Sequence, residues 1–169
     1  LVIILGPTAV GKTAISIEIA KRLNGEIISA DSMQIYRYMN IGTAKPTLEE
    51  RKGIIHYMID IINPDDIFSA ADFQARAKDC IENIHRRNKI PLMTGGTGFY
   101  INSVCYDYAF SDAQRDDSFR KQLQKQARQY GNQYLYEKLE KLDPVGAKKI
   151  HPNNLRRIIR AIEVSIKTG

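Results

Sequence analysis

The stretch Gly6-Pro7-Thr8-Ala9-Val10-Gly11-Lys12-Thr13 follows directly on the apolar run from Leu1 to Leu5. That adjacency constrains the fold more than anything else in the chain. A continuous apolar run stopped by Gly6-Pro7 predicts a strand buried on both faces, as in a parallel sheet. The glycines let backbone N–H groups turn inward around phosphate oxygens, and a helix starting after them adds the partial positive charge of its N-terminus. Lys12 is expected to reach the terminal phosphate, and the Thr13 hydroxyl to ligate Mg²⁺. All eight residues are therefore assigned to phosphate binding. A nucleoside triphosphate such as ATP is the default ligand, but the pattern itself is silent about the molecule attached.

Further along, Ile15, Ile19 and Leu23 recur at helical spacing until Asn24-Gly25, which predicts a helix burying that face. "EIISA" reads as a second strand that delivers Asp31 and Ser32 to its C-terminal end, and "HYMIDII" as a short third strand. Ser69 with Asp72 predicts a capping box, opening a helix that buries Phe73, Ala77, Ile81 and Ile84. "IPLMT" is another buried strand and empties into "GGTGFY". This alternation predicts an α/β fold, a P-loop NTPase-like open parallel sheet flanked by helices. Ligands in such sheets bind beyond the C-terminal strand ends, where Gly6–Thr13, Asp31–Gln34 and Thr94–Tyr100 all fall.

The pattern changes near Ser111. Phe119, Leu123, Ala127 and Tyr130 form one helical stripe. Leu135, Leu139 and Leu142 form a second, and Leu155, Ile158, Ile159 and Ile162 a third, capped by Asn153 or Asn154. The expected organisation is a catalytic core over 1–110 and an inserted all-helical subdomain over 111–169. Charge divides the same way. Residues 1–110 carry 12 Lys/Arg against 12 Asp/Glu, whereas 111–169 carry 13 against 7, the whole of the net +6. A basic appendage on a neutral core points to a polyanionic partner, nucleic acid first. A solvated, Lys-rich helical surface is the plain alternative.

No apolar stretch approaches the roughly 20 residues of a membrane span, and no leader is visible before the phosphate loop. Cys80 and Cys105 make no disulfide framework, and Cys80 is expected to be a reduced core thiol. A cytoplasmic, monomeric protein without membrane contact is expected. The chain starts inside a strand without Met and stops at "SIKTG", so a longer natural protein is expected.

Asp31 is the acid of interest, because a carboxylate near a phosphate loop needs Mg²⁺ or a proton-bearing group between them. It is read as a general base or a substrate hydrogen-bond acceptor, with a turn or helix-cap Asp as the structural alternative. Ser32 and Gln34 offer donors and acceptors suited to a nucleobase edge. Thr97 presents a hydroxyl toward the cleft, although "TGGTGFY" alone also suits a tight turn. Arg156, Arg157 and Arg160 share a helix face, as a phosphate-binding patch or a solvated one. His56, His85 and His151 lack metal-ligand spacing. A nucleotide-hydrolysing relative of this fold usually ends an apolar strand in an Mg²⁺-holding Asp. "IPLMT" ends in Thr94, and Asp60 closes only the short "YMID".

"GPTAVGKT", "ADSMQIYRYMNIGTAKP", "HYMIDIINP", "FSAADF", "PLMTGGTGFYI" and "HPNNLRRIIRAIEV", taken in order, resemble the tRNA dimethylallyltransferase (tRNA isopentenyltransferase) family over practically the whole chain. The resemblance implies transfer of a dimethylallyl group from dimethylallyl diphosphate to the exocyclic N6 of an adenosine beside the tRNA anticodon, with release of pyrophosphate. It implies that Gly6–Thr13 bind the diphosphate, with Lys12 and Mg²⁺ on Thr13 neutralising the leaving group, and that Asp31 accepts the N6 proton near Thr97. It further implies that Asp31, Ser32, Met33, Gln34 and Thr97, with Arg120, Arg156, Arg157, Ile158, Ile159 and Arg160, touch the tRNA anticodon stem-loop or pyrophosphate. The rival readings are an adenylate isopentenyltransferase acting on free nucleotides and a small-molecule kinase.

Overall fold

The run Val2–Leu5 forms strand β1, and the loop after it leads into helix α1, Lys12–Arg22. The computed structural model describes residues 1–7, 10–111, 113 and 115–168. Strand β2 is Gly25–Ser29, β3 is the two residues His56–Tyr57, helix α2 is Ala70–Arg86, β4 is Ile90–Gly95 and α3 is Gly98–Cys105. The strands form one parallel sheet in the order β1-β4-β2-β3. Its register pairs Leu5 with Gly95 and Ser29 with Thr94. The C-terminal ends of β1, β2 and β4 therefore open at one edge, carrying the phosphate loop, Asp31 and Thr97 with them.

Both faces of this sheet are covered, which is why its strands read as unbroken apolar runs. Ile27 and Leu92 pack against Ile17 and Ala20 of α1 on one face. Ile28 and Met93 pack against Phe73, Ala77 and Ile84 of α2, and Tyr100 and Ile101 of α3, on the other. Ser69 and Asp72 form the expected capping box at the start of α2.

Three local expectations are corrected. Helix α1 buries Ser16, Ile17 and Ala20, and Ile15 and Leu23 are exposed. The phosphate loop sets where the helix starts, and small Ser16 and Ala20 let it approach the sheet closely. The third strand stops after Tyr57, because Met58 (φ 63°) and Asp60 (φ 57°) take left-handed backbone. Strand pairing resumes only as the isolated Tyr36–Ile62 bridge. "GTGFY" is not a plain turn but the start of α3, held by the Tyr100 ring stacked 4.2 Å from that of Phe73.

At the opposite end of β2, Glu26 is 1% exposed and receives Arg87 through two nitrogens (2.7 and 2.6 Å), Lys89 (2.8 Å) and the Tyr57 hydroxyl (2.8 Å). Burial alone would raise this carboxyl. The hydrogen bonds from Arg87, Lys89 and Tyr57 outweigh it and bring the pKa down to about 2.

The chain divides into two compact units, Leu1–Tyr108 and Ala109–Gly169. The second contains helices α4 (Asp117–Tyr130), α5 (Asn132–Leu142), α6 (Pro144–Ala147) and α7 (Leu155–Thr168). Its core is built on Leu123, Leu135, Leu139, Ile158 and Ile162. Tyr130 and Leu142, the last members of their stripes, are exposed. The short α6 falls outside the three apolar stripes; Asp143 caps it by accepting the Gly146 N–H at 2.8 Å. Asn154 caps α7, accepting the Arg157 N–H at 3.3 Å. Cys80 is half-buried and Cys105 exposed, both as free thiols, and burial pushes the Cys80 thiol up. Among the described residues no helix is long and apolar enough to cross a membrane.

Candidate active site

The strand ends of the first unit surround a cavity of about 150 Å³. Gly11, Lys12, Thr13 and Ser16 form one side; Ser29, Asp31 and Gln34 form another, and Thr94 and Gly95 the floor. Ala44, Pro46 and His56 complete the wall. Two positions demand glycine. Gly11 has φ 80° at the entry to α1, a conformation L side chains avoid. A Cβ on Gly95 would lie 2.1 Å from the Ala30 carbonyl oxygen.

The structure thus places Lys12, Thr13 and Asp31 on one cavity, in line with the sequence pattern. Lys12 Nζ donates to the Pro7 carbonyl within its own loop. Gly6 and Val10 flank it, Val10 being exposed. Thr8 and Ala9 lie outside the described residues. Asp31 is half-buried, and its Oδ1 accepts the Met33 N–H at 2.8 Å. The turn role and the cavity position therefore coexist in the same carboxylate.

Thr97 does not line the cavity. Its hydroxyl accepts the Ser32 N–H at 2.9 Å, and its own N–H donates to the Ala30 carbonyl at 3.1 Å. It pins the Asp31 turn from the β4 side. Ser32 and Met33 lie on that turn without lining the cavity. Gln34 does line it, but its amide is committed. Oε1 accepts from the Ser29 hydroxyl (2.8 Å) and Nε2 donates to the Thr43 and Ala44 carbonyls (3.2 and 3.1 Å). In this arrangement Gln34 builds the wall, with both amide protons committed and one acceptor position left on Oε1.

His56, which no spacing in the sequence singles out, lies in the cavity wall. Its Nδ1–H donates to the Ile54 carbonyl at 2.9 Å. Burial, outweighing that hydrogen bond, pushes its pKa below the usual 6.5. No local motif marks it, because the pairing of β3 with β2 brings it there. Asp60 does not line the cavity and forms an ion pair with Lys45 at 2.7 Å. Strand β4 ends in Thr94–Gly95. Among the described residues no group of three or more His, Cys, Asp and Glu is arranged to hold a metal.

In the second unit, Arg115, Arg120, Lys121, Gln124 and Arg156 line a groove of about 790 Å³ between α4 and α7. Here the arginines separate into two kinds. Arg120 reaches the fully buried Glu163 through two nitrogens (3.0 and 2.6 Å), and Arg160 reaches it at 2.6 Å. Arg160 also donates to the Ala113 carbonyl at 3.1 Å, and the Asp116 N–H donates to Glu163 at 2.8 Å. Burial would raise the Glu163 carboxyl, but these bonds hold it at about 2. Arg156 and Arg157 are exposed, and among the described residues neither has an ion-pair partner. Arg160 therefore differs from its two neighbours on the helix: one of its nitrogens is held by an internal carboxylate, while its side chain stays 40% exposed. Ile158 and Ile159, expected at the tRNA, pack into the helical core, and Ile159 also lines the groove.

A family model described as IPP transferase matches residues 34–169. The tRNA dimethylallyltransferase of Alkaliphilus metalliredigens is 57% identical over 169 residues, all of this chain and 54% of that protein. The one from Bacillus cytotoxicus is 55% identical over 168 residues, 99% of this chain and 53% of that protein. The chain therefore spans about half the length of the curated relatives it matches. Among solved structures, the full-length tRNA isopentenylpyrophosphate transferase of Bacillus halodurans is 52% identical with TM-score 0.66, over 99% of this chain and 55% of that one. A eukaryotic dimethylallyltransferase acting on tRNA is 34% identical with TM-score 0.82, over 97% of this chain and 40% of that one. Family model, relatives and sheet architecture agree, and the chain belongs to the IPP transferase family.

Proposed function

We propose that the protein transfers a dimethylallyl group from dimethylallyl diphosphate to N6 of an adenosine beside the anticodon of tRNA, releasing pyrophosphate. The observation that carries this reading is the single cavity shared by Lys12, Thr13 and Asp31, with no Asp at the end of β4 to serve nucleotide hydrolysis. The names of its relatives support the substrates.

In this reading N6 of adenine attacks C1 of the allyl group as the C1–O bond breaks. Pyrophosphate leaves into the loop formed by Gly6–Thr13. Lys12 neutralises the charge gathering on it, a kind of stabilisation worth several kcal/mol. Asp31 accepts the N6 proton through the oxygen that the Met33 N–H does not occupy, and Thr97 keeps its turn in place. Mg²⁺ fits the donors present. It commonly takes only one or two protein oxygens beside substrate phosphates, and Thr13, whose hydroxyl would hold it, lines the cavity at the start of α1. When bound it supplies further charge neutralisation on the diphosphate. The target base has to leave its stack to reach such a cavity. The basic groove lined by Lys121 and Arg156 is the proposed RNA contact of the second unit. A cytoplasmic, monomeric enzyme is the form proposed.

The test incubates the intact protein with labelled dimethylallyl diphosphate and an anticodon stem-loop, with free AMP and ATP in parallel. Label on the RNA is expected. Label on AMP alone would favour nucleotide prenylation, and phosphate release from ATP alone would favour a kinase. Asp31→Ala is expected to bind diphosphate normally and to slow transfer by about 10²–10⁴-fold, the range of general-base removal. Lys12→Ala should weaken diphosphate binding itself. Equal binding loss in both variants would leave Asp31 as a turn residue only.

A further inference from the structure

Lys45 carries an ammonium taken out of water. Its side chain is 5% exposed. It donates to the Tyr36 carbonyl (2.8 Å), Asn40 Oδ1 (3.0 Å) and Asp60 Oδ1 (2.7 Å). Such a cation is costly to bury unless it is paired and hydrogen-bonded, and here three acceptors meet three donors. The segments it joins are strained. Tyr38 (φ 65°), Ala44 (φ 48°), Met58 (φ 63°) and Asp60 (φ 57°) all hold left-handed backbone, a conformation that persists only where its surroundings enforce it. Lys45 ties the loop bearing the first two to the turn bearing the last two.

From this clamp a line of direct interactions reaches the site. Ala44 and Pro46, on either side of Lys45, form the wall shared with the phosphate loop. The Ala44 carbonyl accepts from Gln34 Nε2, whose Oε1 accepts from Ser29. The Asp60 N–H donates to the Gln34 carbonyl at 3.1 Å. Asp31 sits in the turn between Ser29 and Gln34. Lys45 itself does not line the cavity.

We propose that Lys45, paired with Asp60, is a positioning residue for group transfer: it holds Ala44, Pro46 and Gln34 in the arrangement that aims Asp31 into the cavity. The inference rests on the prenyl-transfer reading. It also assigns Asp60 a purpose, as the counter-charge of the clamp rather than a metal ligand.

Lys45→Met, Asp60→Asn and the double variant of the intact protein are compared with wild type by calorimetry with dimethylallyl diphosphate, steady-state transfer to the stem-loop, and amide exchange. Lys45→Met is expected to bind diphosphate at full stoichiometry, with Kd within about threefold, while kcat falls roughly ten- to a hundredfold, as for a displaced catalytic group. The Met33, Gln34 and Ala44 amides should exchange faster, with those of β2 and β4 unchanged. Asp60→Asn should show the same pattern more weakly, and the double variant should be no slower than Lys45→Met, since both act through one ion pair. A wild-type kcat in Lys45→Met overturns the proposal. So does a fall in kcat matched by the binding stoichiometry, which marks a plain folding defect. If Lys45→Met does not fold, Asp60→Asn decides by the same criteria. Wild-type protein that binds diphosphate but labels no RNA sinks the reaction assignment instead, and the exchange pattern then decides whether Lys45 sets the Asp31 turn.

Discussion

Gly95 lies where two strand ends nearly touch. A Cβ there would meet the Ala30 carbonyl oxygen at 2.1 Å and its carbon at 2.4 Å, and backbone cannot yield as a side-chain tip can. Gly95→Ala is expected to cost about 1–3 kcal/mol by overpacking and to slow transfer, because Asp31 follows Ala30. Gly98→Ala, where nothing lies within 4 Å, should stay within about 0.5 kcal/mol. Urea unfolding of both variants, with the transfer assay beside it, checks the pair. The sequence marks "TGG" only as a turn. The close approach that forbids a side chain comes from a strand more than sixty residues away in the chain.

At the scale of the element, α7 divides its arginines between scaffold and solvent. Arg156→Gln and Arg157→Gln should leave stability within about 0.5 kcal/mol. They should also make RNA affinity less steeply dependent on salt, by about 0.9 in the logarithmic slope for each phosphate no longer neutralised. Arg160→Gln and Arg120→Gln should instead destabilise the second unit by about 1–3 kcal/mol, by leaving the buried Glu163 carboxylate short of a partner. Melting curves and salt titrations of RNA binding separate the two groups. An unchanged salt slope for Arg156→Gln would leave that side chain as part of a solvated face. Helical spacing showed that these arginines share a helix. It did not show that Glu163, three residues beyond Arg160, is fully buried. Packing of α4 on α7 decides that.

Among the described residues, each unit carries one buried acid with a pKa of about 2, Glu26 in the first and Glu163 in the second. Both folded values lie below the ordinary 4.5. Their contribution is therefore complete above about pH 4.5 and is lost as pH falls toward 2. Linkage puts that contribution at about 3 kcal/mol for each group. Amide exchange measured between pH 6 and pH 2.5 should show both units weakening. Glu26→Gln should start less stable and lose less with acid, in the first unit alone. A first unit that loses protection equally with and without Glu26 would refute this assignment.

The sequence by itself determined the parallel α/β core, the glycine-bounded entry to α1, the capping box at Ser69 and the helical second unit. Each of these is written in local periodicity or in a short motif whose backbone requirement is self-contained. It also placed Asp31 at the right strand end, since strand direction and length suffice for that. The tertiary structure decided which face α1 buries, because the loop and the sheet set its rotation. It decided that Gln34 commits its amide protons and Arg160 one of its nitrogens to internal partners, that His56 joins the cavity, and that Lys45 finds Asp60. Those outcomes depend on which distant groups come within about 3 Å, and no local pattern encodes such a distance.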